Sequence, residues 1–220
     1  MESYIFSFYL TYILLLTTAT ITFIEALRTK IATVQHIMNL ETCISLVGGY
    51  FYSVFNDKLK KIKENKVNPD WNEITQLRYV DWAITTPLML LVLSLVLSFN
   101  SKTKIRLHWY GLSVLFNYVM LYIGYLGETG KLERMMANIL GFVAFIITFG
   151  IIFVQYVLPR YNLDNYLIFS LYLLVWSLYG VAYNFNEINK NIFMNYLDLI
   201  SKCLIGIGLW IYYVKIIKFA

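Results

Sequence analysis

Long apolar segments alternate with short polar breaks along nearly the whole chain. Divided at these breaks, the sequence gives segments that each reach the roughly 20 residues a helix needs to cross a bilayer. The pattern predicts seven helices, over Tyr4–Leu27, Thr33–Phe55, Glu73–Phe99, Lys104–Leu126, Leu132–Leu158, Asn162–Asn184 and Asn189–Ile217. The predicted fold class is an all-α membrane protein, with seven transmembrane helices in a single domain over residues 1–220.

The longest predicted connection, Asn56–Asn72, is rich in lysine and contains the turn signal Asn68-Pro69-Asp70. The composition predicts a solvated loop between the second and third helices. The alternative is a surface that binds anionic lipid or an oligomer partner.

Two charged residues stand at the start of the third apolar segment, within Arg78-Tyr79-Val80-Asp81-Trp82. The helical period places Arg78, Asp81, Thr85 and Met89 on one stripe. An ionisable side chain costs about 2.5–3.5 kcal/mol at the centre of a membrane helix. Such a residue is therefore a candidate for function.

Proline is also present inside this segment, at Pro87. It removes a backbone hydrogen bond and is expected to kink the helix. Thr85 and Thr86 are expected to satisfy the carbonyl groups that the proline frees.

The last segment carries the matching charges, Asp198 and Lys202, which share a helix face at a spacing of four residues. With Arg78 and Asp81 they form a neutral set of two cations and two anions. Because unpaired charges are costly in lipid, we expect the four to meet. One hypothesis is a structural ion-pair network that joins two helices, and the other is a functional site.

Composition narrows the classes of function. The chain is 59% hydrophobic and 14% charged, which excludes a soluble enzyme. Its net charge of +5 is spread over the loops and does not indicate nucleic acid. Cys43 and Cys203 lie inside predicted helices, so no disulfide is expected, and no cluster with metal-ligand spacing is present. The start, Met1-Glu2-Ser3, lacks the basic residues of a cleavable signal peptide.

Three motifs occur in order along the chain: R-Y-x-D-W-x-x-T-T-P-L from Arg78, W-S-x-Y from Trp176 and D-x-x-x-K from Asp198. Together they resemble the microbial rhodopsins. The resemblance implies a seven-helix bundle of the bacteriorhodopsin type, in which Lys202 carries all-trans retinal as a Schiff base. It also implies an N-terminus outside the cell, which the nearly balanced basic residues of the loops leave open.

The resemblance assigns roles to the charged set. Asp81 and Asp198 would be the anions that balance the cation formed on Lys202, and Arg78 would balance the second negative charge. Asp81 would be the primary proton acceptor, with Thr85 one turn away as its hydrogen-bond partner. Two tyrosines, Tyr79 and Tyr179, would hold Asp198 in its ionised form.

The resemblance further implies a chromophore pocket, and the matching positions are Trp82, Trp176, Tyr179, Tyr79, Thr86, Met89, Asn117, Met120, Gly124 and Phe145. Trp82 and Trp176 would lie on the two sides of the polyene. Asn117 would bond Thr86 across the third and fourth helices. The apolar Met89 predicts absorption of green light.

The sequence departs from the pattern of archaeal pumps at Val92, where those pumps carry a carboxylate. Glu41, on the second helix, is the candidate that replaces it as proton donor. This shift resembles the rhodopsins of giant algal viruses, which are also short. The alternative for Glu41 is a hydrogen bond between helices with no part in transport.

Three functions remain open. The first is a light-driven outward proton pump that uses Lys202, Asp81 and Glu41. The second is a light-gated cation channel, favoured by the missing carboxylate donor on the third helix, by Glu41 and Ser45 on the second, and by the polar residues Asn191 and Asn195. The third is a photosensor that signals to a membrane partner. The implied partners are the lipid bilayer, protons or small cations, and further copies of the chain in a trimer or pentamer.

Overall fold

A computed structural model of the chain describes residues 3–65 and 70–216. Within these residues the regular structure is entirely helical. The α-helices are α1 Ser3–Arg28, α2 Ala32–Asn65, α3 Trp71–Ser101, α4 Leu107–Glu128, α5 Arg134–Ile152, α6 Leu163–Ala182, α7 Glu187–Asp198 and α8 Ile205–Ile211. Three π-helical segments continue them: Phe153–Val157 after α5, Leu199–Leu204 between α7 and α8, and Tyr212–Ile216 after α8.

Among the described residues, six helices are long and apolar enough to cross a membrane. They are Ser3–Arg28, Trp71–Ser101, Leu107–Glu128, Arg134–Val157, Leu163–Ala182 and Glu187–Val214. Helix α2 is longer than any of these, at 34 residues, but is not among them. Its sequence includes Glu41 and a lysine-rich end, which lower its apolar character. The seven predicted segments therefore correspond to six clearly apolar spans and one more polar helix.

The prediction that the chain leaves the helix at Asn56 is wrong. Helix α2 continues to Asn65, because Leu59 still has a buried face and packs in one cluster with Phe55 and Ile74. An ion pair of Lys58 with Glu73 also joins the extension to α3. Lysine, leucine and glutamate are good helix formers, so the extension has no local cost.

The predicted turn Asn68-Pro69-Asp70 lies partly outside the described residues. Its last member, Asp70, forms the N-cap of α3. The Asp70 carboxylate accepts hydrogen bonds from the backbone N–H groups of Asn72 and Glu73, at 3.0 and 3.2 Å. These bonds satisfy two of the donors that a helix start leaves unpaired.

Helix α3 continues through Pro87. A proline leaves the carbonyl four residues earlier without its helical donor, and that carbonyl belongs to Ala83. The hydroxyl of Tyr118, on α4, donates to it at 3.1 Å. Thr86 donates instead to the carbonyl of Trp82, at 2.7 Å. A tyrosine from the neighbouring helix thus supplies a bond that was expected from the threonines.

The described residues divide into two compact units. The first unit runs to Asp81 and resumes at Phe185, and so contains α1, α2, the start of α3, and α7 with α8. Gly48 and Gly49 allow α1 and α2 to approach closely. A Cβ atom at Gly48 would lie 3.3 Å from Leu15, and one at Gly49 would lie 3.2 Å from Leu16.

The second unit is Trp82–Asn184. An asparagine network ties the C-terminal end of α3 to the start of α6. Asn165 donates to the Leu97 carbonyl at 2.9 Å and to the Ser101 hydroxyl at 2.7 Å. At the other end of α6, the Tyr183 hydroxyl donates to the Gly124 carbonyl at 3.0 Å.

The π-helical segment Leu199–Leu204 interrupts the last span beside its charged residues. The backbone N–H of Ile205 donates to the carbonyl of Ile200, five residues earlier. Single π turns within α-helices occur frequently at functional sites. Here the segment contains Lys202 and begins directly after Asp198.

Candidate functional site

The four charged side chains that the sequence predicts to meet lie together in the first unit. Each is at most 1% exposed: Arg78, Asp81, Asp198 and Lys202. Asp81 and Arg78 come from α3, Asp198 ends α7, and Lys202 lies in the π turn that follows. The set is formally neutral, which is the condition for burying four charges in an apolar surrounding.

Lys202 is bound unequally by the two carboxylates. Its Nζ atom donates to Oδ2 of Asp81 at 2.6 Å, and lies 3.7 Å from Oδ1 of Asp198. The first distance is that of a short charge-assisted hydrogen bond, whereas the second is an ion pair without one. Asp81 is therefore the carboxylate that Lys202 contacts directly.

Arg78 is directed towards the other carboxylate. Its Nη1 atom lies 3.3 Å from Oδ2 of Asp198. The guanidinium carbon also lies 5.4 Å from the ring centroid of Phe55 and 5.6 Å from that of Phe8. These aromatic faces stabilise the buried cation. Arg78 is therefore held by an ion pair with Asp198 and by cation–π contacts.

Tyr52 is a site residue to which the sequence analysis gave no role. Its hydroxyl lies 2.9 Å from Oδ2 of Asp198 and 3.0 Å from Oδ1 of Asn195. Arg78 Nη1 donates to the same hydroxyl at 3.2 Å. A signal was present in the sequence, because Glu41, Ser45, Gly48 and Tyr52 follow one another on a single face of α2.

The two asparagines of the last span extend this network. Arg78 Nη2 donates to Oδ1 of Asn195 at 2.8 Å and to Oδ1 of Asn191 at 3.2 Å. The Asn195 amide in turn donates to the Ser7 hydroxyl of α1, at 2.9 Å. The polar stripe predicted on the last helix is thus occupied by bonds that join α1, α3 and α7.

Glu41 lies on α2 and is 2% exposed. A Cβ atom at Gly206 would stand 2.9 Å from Oε2 of Glu41, so the carboxyl group packs against the backbone of α8. Gly206 is one helical turn beyond Lys202, on the side away from Asp198. Glu41 is therefore buried near Lys202, and the absence of a side chain at Gly206 makes its position possible.

The predicted pocket residues of the second unit contact one another. The Asn117 amide donates to the Thr86 hydroxyl at 2.7 Å, which confirms the predicted bond between α3 and α4. The rings of Trp82 and Tyr179 meet edge to face, with centroids 5.4 Å apart. Trp176 packs in the same way on Phe149, at 5.5 Å.

The remaining predicted site residues are placed as follows. Thr85 and Met89 are buried in α3, Phe145 is buried in α5, and Tyr79, Met120 and Gly124 are partly buried in α3 and α4. Val92, at the position where archaeal pumps carry a carboxylate, is fully buried. The roles predicted for Thr85, Tyr79 and Tyr179 stay predictions.

The residues present fit a retinal bound to Lys202. The lysine is buried, has a carboxylate at hydrogen-bond distance, and passes Gly48, where a Cβ atom would lie 3.6 Å from Lys202 Cδ. Within the second unit, Nε1 of Trp176 is buried with no hydrogen-bond partner among the described residues. No group of three or more His, Cys, Asp or Glu side chains in the described parts of the chain is arranged to hold a metal ion.

These features define a class: a helical membrane protein with a buried lysine between two carboxylates. The sequence profile of the family described as bacteriorhodopsin-like protein matches residues 3–216. The chain belongs to this family of microbial rhodopsins. Members of the family bind retinal, and they are light-driven ion transporters or sensors.

Two solved structures of rhodopsins are similar to this chain. The crystal structure of the viral rhodopsin OLPVRII is 44% identical, with a TM-score of 0.89 over 97% of this chain and 98% of that chain. The proton pumping rhodopsin AR2 from the marine alga Acetabularia acetabulum has a TM-score of 0.78 at 19% identity, over 99% and 97% of the two chains. The second likeness shows the fold alone. The predicted fold class is confirmed.

A curated relative is the green-light absorbing proteorhodopsin of Gamma-proteobacterium EBAC31A08. It is 26% identical over 155 residues, which are 62% of this chain and 60% of the relative. The matched part of the chain thus spans less than two thirds of that relative's length.

Proposed function

We propose that this protein is a light-driven outward proton pump in which Lys202 carries all-trans retinal as a Schiff base. The observation that carries the proposal is the 2.6 Å bond from Lys202 Nζ to Asp81 Oδ2, against 3.7 Å to Asp198. Transport needs one defined acceptor, and this geometry favours Asp81. A curated relative is named a green-light absorbing proteorhodopsin, which supports a light-driven function.

Retinal, when bound, supplies a light-driven isomerisation that reorients the proton on Lys202 Nζ. The protein's own part is to receive and replace that proton. Asp81 Oδ2 accepts it, since it is already at hydrogen-bond distance. Asp198 is kept charged by Arg78 and Tyr52, because hydrogen bonds to a carboxylate favour its ionised form. The two carboxylates thus have different roles.

Glu41 is the proposed donor that returns a proton to Lys202 Nζ. It is buried on the side of Lys202 opposite Asp198, against Gly206. A carboxyl group with no charged partner among the described residues retains its proton in such a place. Val92 offers no alternative donor on α3.

The proposed contacts of retinal in the second unit follow the family resemblance. They are Trp82, Trp176, Tyr179, Thr86, Met89, Asn117, Met120, Gly124 and Phe145, with Tyr79 from the first unit. Met89 is apolar, so we propose absorption of green light. A maximum in the blue, measured on the purified pigment, would contradict this.

We further propose a multi-pass membrane protein with its N-terminus outside, acting as a single retinal-binding domain in a homo-oligomer. A trimer or pentamer is the expected state, by resemblance to the family. Mass measurement of the detergent-solubilised or lipid-nanodisc protein would determine the number of copies.

A light-gated cation channel is the second candidate. It is favoured by the buried asparagine stripe, where Asn191 and Asn195 line up beside Arg78. Polar groups in a row can replace the hydration shell of a passing cation. Here, however, each asparagine oxygen is already occupied by Arg78, so conduction would require this network to open.

Photocurrent under voltage clamp separates the two functions. The pump predicts outward current at every membrane potential, with no reversal when the cation gradient is changed. The channel predicts a current that reverses at a potential set by that gradient. Glu41→Gln should reduce the pump current, whereas Glu73→Gln, at the exposed ion pair with Lys58, serves as the control.

A further inference from the structure

Ser45 lies between the two groups that the proposed proton transfer must connect. On α2, Gly48 faces the Lys202 side chain and Glu41 faces Gly206. Because the second and last helices run past each other in opposite directions here, the segment from Glu41 to Gly48 follows the segment from Lys202 to Gly206. Ser45 is four residues from Glu41 and three from Gly48, on the same face.

The two ends of this path on α2, Glu41 and Gly48, are seven residues apart. Seven residues of α-helix rise about 10 Å, and a proton donor must lie within hydrogen-bond reach of its acceptor or be connected through a water molecule. A polar group between Glu41 and Lys202 would divide the proton transfer into two shorter steps. Ser45 is the hydroxyl-bearing residue on this face of α2.

The Ser45 hydroxyl also makes no hydrogen bond within its own helix. Three other buried hydroxyl groups of the first unit donate to the carbonyl four residues earlier: Thr11 to Ser7, Thr22 to Thr18 and Thr42 to Met38, at 2.8–2.9 Å. Ser45 is fully buried, yet its Oγ atom has no hydrogen-bond partner among the described residues. An unsatisfied buried hydroxyl costs about 1–3 kcal/mol, so a water molecule bound to Ser45 would be stabilising.

The backbone of the last span departs from regular α-helix at Lys202. The π turn Leu199–Leu204 replaces one helical bond pattern by another at Lys202. Gly206, one turn further, presents no side chain to the space near Glu41.

We propose that Ser45 is a positioning residue that holds a buried water molecule, through which a proton passes from Glu41 to Lys202. This inference rests on the proposed role of Glu41 as donor. The proton leaves the Glu41 carboxyl group, which becomes a carboxylate. Water bound to Ser45 Oγ accepts this proton and releases another to Lys202 Nζ, so that no proton is gained or lost in the relay. Ser45 acts as a positioning residue, since it holds the water and does not bear the transferred charge.

The test compares four variants of the full-length, retinal-loaded protein by flash photolysis: Ser45→Ala, Ser45→Thr, Glu41→Gln and Ser94→Ala. Ser94 is the matched control, because it is equally buried and its hydroxyl already donates to the Leu90 carbonyl at 2.8 Å. Ser45→Ala should slow reprotonation of Lys202 Nζ by about tenfold, which is about 1.4 kcal/mol in the barrier. Ser45→Thr retains the hydroxyl and should restore the rate, and Ser94→Ala should leave it unchanged.

A second readout is independent of transport. The infrared carbonyl band of protonated Glu41, identified by its loss in Glu41→Gln, should shift in Ser45→Ala and return in Ser45→Thr. A purely structural role for Ser45 predicts no shift of this band.

The outcomes separate this inference from the proposed function. If Glu41→Gln slows reprotonation and Ser45→Ala does not, the relay is wrong and the donor stands. If neither variant slows it, Glu41 is not the donor and the relay is wrong with it. If the photocurrent reverses with the cation gradient while Ser45→Ala still slows reprotonation, the pump is wrong and the relay stands.

Discussion

The Tyr52 hydroxyl lies 2.9 Å from Oδ2 of Asp198, and joins the second helix to the last. The same carboxylate oxygen is 3.3 Å from Nη1 of Arg78. Asp198 is therefore held by a cation and a hydroxyl, whereas Asp81 is held by Lys202 at 2.6 Å. This asymmetry is the structural basis for giving the two carboxylates different roles.

Replacing Tyr52 by phenylalanine removes a hydroxyl that bonds two charged groups, the Asp198 carboxylate and the Arg78 guanidinium. A hydrogen bond to a charged group contributes about 1.5–3 kcal/mol, so Tyr52→Phe should lower the temperature at which the pigment loses its visible band. Tyr50→Phe, on the exposed face of the same helix, is the control. Equal melting temperatures for the two variants would show that the Tyr52 bond does not stabilise the site.

Replacing Asp198 by asparagine leaves Arg78 buried without its nearest anion. Removing one partner of a buried pair costs about 3–5 kcal/mol, so Asp198→Asn should be strongly destabilised. Glu73→Gln breaks the exposed pair with Lys58 and should cost about 1 kcal/mol or less. Thermal unfolding of both variants in the same lipid measures the difference, and similar losses would contradict the assignment of Asp198 as the partner of Arg78.

Replacing Lys202 by alanine should abolish the visible absorption band, because no other group is proposed to hold retinal. Lys190→Met is the control, since Lys190 is also a buried lysine on the last span but pairs with Glu187 at 2.9 Å. That variant should keep the band. A band retained in Lys202→Ala, recorded after reconstitution with retinal, would exclude Lys202 as the attachment site.

Replacing Gly206 by alanine tests the position of Glu41. The new Cβ atom would lie 2.9 Å from Oε2 of Glu41 and 3.1 Å from Cγ2 of Thr18, so the flexible carboxyl group must move. Gly206→Ala should slow reprotonation of Lys202 Nζ and leave the visible band in place. The matched control is Gly208→Ala, where nothing lies within 4 Å of the added atom. Identical decay of the two variants would show that the Glu41 position is not important for the donor step.

Much of the fold followed from hydropathy. Apolar segments of membrane length gave the helices to within a few residues at most ends, because a bilayer requires internal hydrogen bonding of every spanning segment. The main error was at Asn56, where the lysine-rich sequence predicted a loop. The burial of Leu59 against Phe55 and Ile74 extends α2 by ten residues, and such packing is not visible in local composition.

The candidate site was predicted in part. Charge balance alone indicated that Arg78, Asp81, Asp198 and Lys202 would meet, since no one of them is tolerable in lipid without the others. Sequence could not indicate which carboxylate is nearer to Lys202. That depends on how α3 is rotated against the π turn, and on the Tyr52 hydroxyl that joins Asp198.

The sequence by itself determined the class of protein, because motifs on three helices and a membrane-length hydropathy pattern are both local properties of the chain. The tertiary structure decided what depends on contacts between helices. It placed Tyr52 on Asp198, Tyr118 on the carbonyl freed by Pro87, and Glu41 against Gly206. Each of these contacts joins residues that are far apart in the chain. Side chains contact each other because they are close in space, and spacing along the sequence does not determine which distant residues become neighbours.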